Sequence, residues 1–128
     1  MIETGKVYNL STKVNGYKAK KVALPFDFDK DYTIVCDIES DDIKDRCFYR
    51  YGNLPLVKTD DVTVLNKTQN SITLKANSYV HVVTLNGEYI FSDNGFSMLP
   101  DEVKTITFEK TIYSDQEKVS ILAYTIKN

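Results

Sequence analysis

The chain has 128 residues, a net charge of −2 and an aromatic content of nine tyrosines and six phenylalanines without tryptophan. This length suits one domain, and we expect residues 1–128 to form one. The weak net charge argues against a nucleic-acid partner, because the densest basic run, Lys18, Lys20 and Lys21, divides between the two faces of a strand. Neither a secretion signal nor an apolar run of bilayer length occurs, so we expect no membrane partner and favour a cytoplasmic location.

Alternating apolar and polar residues predict β-strands along the first half of the chain. A turn with Asp41, Asp42 and Asp45 separates two of these strands and predicts a hairpin that reverses near residues 40–44. The predicted strands of this half are Lys6–Val14, Tyr17–Leu24, Tyr32–Glu39 and Arg46–Tyr51.

Cys36 and Cys47 are the two cysteines, and the predicted hairpin places them opposite each other. A cross-strand disulfide is therefore geometrically conceivable. Two cysteines do not make the disulfide framework of a small secreted domain, so we favour free thiols. Cys36 shares the alternating apolar face of its strand, which predicts a buried, small hydrophobic residue.

The second half of the chain also alternates, and it contains two interruptions. At Asn77-Ser78 the alternation slips by one residue, which fits a β-bulge or a kink. Asn86-Gly87 is a turn signal of the hairpin type. The predicted strands here are Val62–Lys67, Ile72–Ala76, Val80–Leu85, Tyr89–Phe91, Val103–Glu109 and Lys118–Ile126.

The pattern as a whole predicts an all-β protein, because no segment has a sustained apolar stripe with helical spacing. Short strands separated by frequent turns are typical of an Ig-like antiparallel β-sandwich, and we expect about seven to nine strands. The antibody type of this fold is excluded, because the chain has no tryptophan and its two cysteines stand too close together in sequence.

Residues suited to catalysis or metal binding are sparse. His81 is the only histidine, and with valines on both sides it is expected to be a solvent-side or partly buried strand residue and not a general base. Asp27, Asp29 and Asp31 alternate as in a calcium loop, but they lack its central glycine and distal glutamate, so we expect an acidic turn. We predict no catalytic residue, no metal and no cofactor.

Aromatic residues leave carbohydrate binding open as an alternative, because sugar-binding sandwiches stack pyranose rings on exposed aromatic side chains. Tryptophan, the usual stacking residue, is missing, and core or interdomain packing explains the aromatics more economically. The aromatic residues considered for this role are Phe48, Tyr49, Tyr51 and Tyr113.

The segment Phe91–Glu102 has the most distinctive composition of the chain. Asp93 and Asn94 can bond to their own backbone, and Gly95 permits a positive φ. Phe96, Met98 and Leu99 are expected to turn back as an apolar plug, and Pro100 interrupts regular ladder pairing. These residues predict a structural corner that closes one end of the sandwich without binding a ligand.

This corner closely resembles a segment of the terminal Ig-like domain of β-mannosidases and their relatives in glycoside hydrolase family 2. That family carries Ser-Asp-Asn-x-Phe-x-Leu-Leu-Pro-Gly-Glu, followed by a strand of the Val-x-Ile/Val-x-Phe type. Met98 is a near match, Asp101 stands where glycine is usual, and Gly95 stands where an aromatic residue is common. The matching residues, which form our predicted structural corner, are Ser92, Asp93, Asn94, Phe96, Leu99, Pro100 and Glu102.

The resemblance implies a larger enzyme whose catalytic barrel carries two glutamates, an acid/base and a nucleophile, in a retaining mechanism. No glutamate of this chain matches either of them, so we expect no activity from the fragment itself. The chain would be a non-catalytic C-terminal accessory domain of a β-mannosidase-like glycosidase, whose partners are the other domains of the parent. The alternative is a self-standing carbohydrate-binding or protein-interaction module.

Overall fold

The computed structural model describes residues 7–16, 18–23, 33–50, 55–111 and 118–127. Every regular element within these ranges is a β-strand, which confirms the predicted all-β class. The chain divides into two compact units, Ile2–Asn53 and Leu54–Asn128. The strands are β1 (Thr33–Ser40), β2 (Ile43–Arg50), β3 (Leu56–Lys58), β4 (Val62–Lys67), β5 (Ser71–Ala76), β6 (Val80–Asn86), β7 (Tyr89–Phe91), β8 (Phe96–Met98), β9 (Val103–Lys110) and β10 (Ser120–Ile126).

The unit Ile2–Asn53 contains an antiparallel hairpin of β1 and β2, as predicted. Its two-residue turn is Asp41-Asp42, where Asp41 has a φ of 47°. The prediction that Asp45 belongs to the turn is wrong, because Asp45 lies within β2 opposite Ile38. Cys36 is exposed, so the prediction that it is buried is also wrong. Alternation placed Cys36 correctly on a strand, but only a second packed layer would bury that strand face.

The two strands predicted near the N-terminus are wrong over the described residues. Positions 7–16 and 18–23 have no strand structure, and the backbone N–H of Lys18 donates to the carbonyl of Asn15 at 3.2 Å across a turn at Gly16. Tyr8, Leu10 and Val14, the predicted inward residues, are exposed. Alternation alone does not make a strand, because the backbone also needs a neighbouring strand for its hydrogen bonds.

The unit Leu54–Asn128 is a sandwich of two four-stranded sheets, in the orders β3-β10-β6-β8 and β4-β5-β9-β7. All of the paired strands run antiparallel, as the predicted Ig-like sandwich requires. The inward side chains of both sheets form one core, which comprises Ile72, Leu74, Ala76, Val80, Val83, Leu85, Phe96, Met98, Ile106, Phe108 and Ala123.

From β6 onward, each strand lies in the opposite sheet from the strand before it. The slip of alternation at Asn77-Ser78 is therefore a kink where the chain changes sheets, between β5 and β6. Asn86-Gly87 changes sheets as well, so the predicted hairpin there is wrong: β6 pairs with β8 and β10, whereas β7 pairs with β9. The backbone of Lys118 approaches Gly87 closely, which explains the glycine: a Cβ at this position would lie 3.1 Å from the carbonyl oxygen of Lys118.

Buried His81 is the polar exception within the described core. Its side chain is 8% exposed, and its Nδ1 lies 3.0 Å from the hydroxyl oxygen of Tyr79. Burial lowers the pKa of His81, because the charged imidazolium loses its hydration there. The strand position agrees with the sequence prediction, but the expected solvent-side or partly buried placement is wrong, because His81 is buried.

We expect the free energy of unfolding to decrease as the pH falls below about 6.5, the pKa of an unfolded histidine. The pKa of His81 is lower in the folded chain than in the unfolded chain, so the unfolded chain binds the proton first as the pH falls. The loss of stability is complete once the pH is below the pKa of the folded chain. The loss should not exceed about 1.4 kcal/mol per pH unit, because one proton is involved. Urea titrations between pH 7.5 and 5 will measure it, and His81→Gln should flatten this dependence. An equally steep dependence in the variant would contradict the assignment.

Candidate functional site

The corner Phe91–Glu102 joins the two sheets through two of its polar side chains. Ser92 continues the ladder of one sheet: its N–H donates to the Thr107 carbonyl at 2.8 Å, and its Oγ accepts from the Thr107 N–H at 3.0 Å. Asn94 reaches the other sheet, where its Oδ1 accepts from the Leu85 N–H at 2.8 Å and its Nδ2 donates to the Leu85 carbonyl at 2.9 Å. The amide of Asn94 thus takes the place of a backbone peptide group beside β6.

Asp93 and Lys104 form an ion pair on the exposed side of the corner, with 2.5 Å between Oδ2 and Nζ. The same ammonium lies 4.3 Å from the centroid of the Phe96 ring, which is cation–π distance. Lys104 therefore connects the Asp93 carboxylate to an aromatic ring of the core. The pair is partly exposed, so we expect it to contribute less than about 1 kcal/mol to stability.

Phe96 and Met98 are buried, as predicted, but the segment is not a plug. It forms β8, an edge strand beside β6, with Phe96 opposite Val83 and Met98 opposite Val80. The register shifts between these two pairs, so the irregularity of β6 faces β8. The sequence does not predict this strand, because the three residues between Gly95 and Leu99 carry too little periodicity to distinguish a strand from a loop.

The corner ends in a tight turn from Leu99 to Glu102, closed by a hydrogen bond from the Glu102 N–H to the Leu99 carbonyl at 3.1 Å. Pro100 occupies the second position of this turn, and Asp101 the third, with a φ of 66°. A type II turn needs a positive φ at its third position, which favours glycine. Two further backbone hydrogen bonds attach the turn to Ala76 at the end of β5. The N–H of Asp101 donates to the carbonyl of Ala76, and the N–H of Ala76 donates to the carbonyl of Glu102.

The positive φ of Asp101 explains why a glycine is usual at this position in the family that the corner resembles. We expect Asp101→Gly to raise the free energy of unfolding by about 0.5–1 kcal/mol, since relief of the left-handed strain exceeds the entropy cost of glycine. Asp101→Ala keeps the strain and should instead lower stability. Urea midpoints of the two variants will measure both effects, and an increase in Asp101→Ala alone would contradict the strain at this turn.

Within the described ranges, no group of three or more histidine, cysteine, aspartate or glutamate side chains is arranged to hold a metal ion. The acidic stretch Asp27, Asp29 and Asp31 lies outside those ranges, so the calcium alternative stays untested. Among the described residues, no helix is long and apolar enough to cross a membrane.

The aromatic residues considered for sugar stacking do not form one platform in the described structure. Phe48 and Tyr49 are successive residues of β2, so their side chains point to opposite faces of the ribbon. Tyr51 and Tyr113 lie outside the described residues. On the sandwich, Tyr89, Phe91 and Phe108 pack against one another, with centroids 4.9 Å to 6.3 Å apart.

A shallow depression of about 580 Å³ lies beside the β4–β5 turn. Phe108, its aromatic residue, is 4% exposed and belongs to the core, so its ring face is not offered to a ligand. The depression therefore offers no stacking platform for a sugar. Its lining residues are Thr68, Gln69, Asn70, Phe108, Glu109 and Lys110.

The two packed antiparallel sheets and the corner that joins them define an Ig-like β-sandwich domain. The chain belongs to the Ig_mannosidase family of Ig-fold domains, whose family model matches residues 55–127 and thus more than half of the chain. The match makes the sandwich an accessory Ig-fold domain of mannosidase-like proteins. No curated protein and no solved structure matches the chain.

The matched range begins with β3 and ends after β10, so it coincides with the unit Leu54–Asn128. It contains all seven residues of the predicted corner. The structure brings these residues into the one segment between β7 and β9, with Phe96 in β8, and gives Ser92, Asp93, Asn94 and Glu102 the polar contacts described above. That the corner serves the fold and binds no ligand remains a prediction, as does the assignment of residues 1–128 to a single domain.

Proposed function

We propose that the chain is a non-catalytic accessory domain of a glycoside hydrolase of the β-mannosidase type, in glycoside hydrolase family 2. The domain stabilises the enzyme by packing against its other domains. The observation that carries this proposal is the family match over residues 55–127, which covers the whole sandwich. The partners are therefore other domains of the parent enzyme, and carbohydrate binding by the chain itself is the alternative.

The surface we assign to this packing is the β3–β4 edge, which we define as Leu56, Val57, Val64 and Leu65. β3 and β4 are the edge strands of the two sheets, and residues 59–61 join them, so both lie at the same side of the sandwich. All four side chains are exposed. Exposed strand edges with apolar side chains are usually covered by another element, which supports docking of a neighbouring domain here.

Val57→Glu tests this surface in the complete enzyme. We expect the substitution to lower the melting temperature of the whole enzyme, because it places a charge in the interdomain contact. The isolated chain should keep its stability within about 0.5 kcal/mol, since Val57 is exposed there. Val103→Glu is the matched control: Val103 is also an exposed valine, but β9 is an interior strand of its sheet. Equal effects of the two substitutions on the enzyme would argue against the edge as the contact.

The catalytic part of the proposal has a separate test. The purified chain should not hydrolyse an aryl β-mannoside, and the coding sequence around it should include a (β/α)₈ barrel with two catalytic glutamates. Turnover by the purified chain would overturn the non-catalytic assignment. Sub-millimolar binding to a mannoside in a calorimetric titration would favour the carbohydrate-binding module instead.

A further inference from the structure

Cys36 and Cys47 occupy directly opposed positions of the β1–β2 hairpin. Both residues are exposed, and neither forms a disulfide. Partial burial, followed by the nearby Cys47 thiol, raises the pKa of the Cys36 thiol. The register of the hairpin therefore places the two cysteine side chains next to each other on one face of the ribbon.

The backbone geometry at this position suits a covalent bridge. Directly opposed residues of antiparallel strands have Cα atoms about 4.5–5.5 Å apart. Disulfides span Cα separations of about 4.4–6.8 Å, so the separation typical of opposed residues falls within the range of a bridge. The flanking pair, Asp37 and Arg46, holds the register through two hydrogen bonds between its side chains, at 2.6 Å and 2.9 Å.

A two-stranded ribbon is marginally stable by itself, because it has no second layer to bury its apolar residues. Among the described residues, β1 and β2 pair only with each other, and Ile38, Ile43, Phe48 and Tyr49 are exposed. A bridge between opposed residues would close a short loop around the Asp41-Asp42 turn and restrict the opening of the ribbon. Oxidation would thus stabilise the β1–β2 hairpin, which is the smallest sheet of the described structure.

We propose that Cys36 and Cys47 are a site of reversible oxidative modification, at which exchange with a small-molecule disulfide closes an intrachain disulfide. The thiolate of one cysteine attacks a sulfur of the small disulfide, which forms a mixed disulfide and releases one small thiolate. The second cysteine then attacks the protein sulfur of the mixed disulfide and releases the other small thiolate. Two protein thiols are oxidised, one disulfide is reduced to two thiols, and the two protons pass to the departing thiolates.

The test is incubation of the full chain with a mixture of oxidised and reduced glutathione, followed by acid quenching and intact-mass measurement. We expect a product two hydrogen atoms lighter than the reduced chain, with little glutathione adduct. Cys36→Ser and Cys47→Ser are the matched controls, and each should stop at the mixed disulfide because no second thiol is present. Reduced glutathione in excess should restore the starting mass of the unmodified chain.

A second measurement separates the hairpin geometry from mere closeness in sequence. In one glutathione mixture, the ratio of intrachain to mixed disulfide should be at least about tenfold higher for the folded chain than for the chain in concentrated urea. Equal ratios would overturn the proposal, because the hairpin would then contribute nothing to closure. Accumulation of the mixed disulfide, of chain dimers or of unreacted thiols in the folded chain would overturn it as well.

Discussion

Leu74→Ala should lower the free energy of unfolding by about 3 kcal/mol, the largest effect that we expect from a single substitution. Leu74 is 0% exposed and lies within the core shared by the two sheets. Its strand β5 is paired on both sides, by β4 and β9, so the backbone cannot easily move to fill the cavity. Urea unfolding followed by circular dichroism will measure the change.

Leu65→Ala is the matched control, since it makes the same chemical change on the neighbouring strand. Leu65 is 52% exposed and stands where the register between β4 and β5 shifts. We expect the control to change the free energy of unfolding by less than about 0.5 kcal/mol. Similar losses of stability in the two variants would contradict the position of Leu74 in a core between the two sheets.

Asn94→Ala should cost about 2 kcal/mol, a large effect for an exposed residue. The substitution removes both hydrogen bonds to Leu85 and leaves its backbone N–H and carbonyl without their partners, in partly buried surroundings. It also removes the bond from the Gly95 N–H to Asn94 Oδ1, which is 3.0 Å long. The urea midpoint and hydrogen exchange at the Leu85 amide will both measure the loss.

Asn94→Asp distinguishes the two halves of this interaction. A carboxylate still accepts from the Leu85 N–H, but it cannot donate to the Leu85 carbonyl and places negative charge beside that oxygen. We therefore expect stability to fall while the Leu85 amide stays protected from exchange. In Asn94→Ala both should be lost, and full stability in either variant would contradict the bridging role of this amide.

Strand positions in the second half of the chain were predictable, because apolar alternation is a local property of the sequence. Val62–Lys67 is matched in full, and Val103–Glu109 is one residue short of β9. The pairing partners of the strands were not predictable, because each pairing depends on residues that are distant in sequence. The turn signal at Asn86-Gly87 was genuine, but a turn does not specify whether the next strand returns to the same sheet or crosses to the other.

Some features of the corner could be predicted from the sequence, and others could not. Residue types revealed the turn-forming capacity of Asp93 and Asn94, and the departure at Asp101 was noticed from the resemblance. The hydrogen bonds of Asn94 to Leu85 were hidden, because β6 and the corner come together only after both sheets have formed. The positive φ of Asp101 was not predicted either, although Pro100 before the position where the resemblance implies a glycine is a signal of a type II turn.

The first and last strands of the sandwich, β3 and β10, are neighbours, with Leu56 opposite Ile126. Just beyond them the N–H of Lys127 donates to the carbonyl of Pro55 at 2.7 Å, so the polypeptide enters and leaves the sandwich at one point. A domain whose two ends meet can be inserted into a loop of a host protein without stretching that loop. It should also tolerate joining of its ends and opening of the chain elsewhere, which makes this sandwich a suitable module for circular permutation.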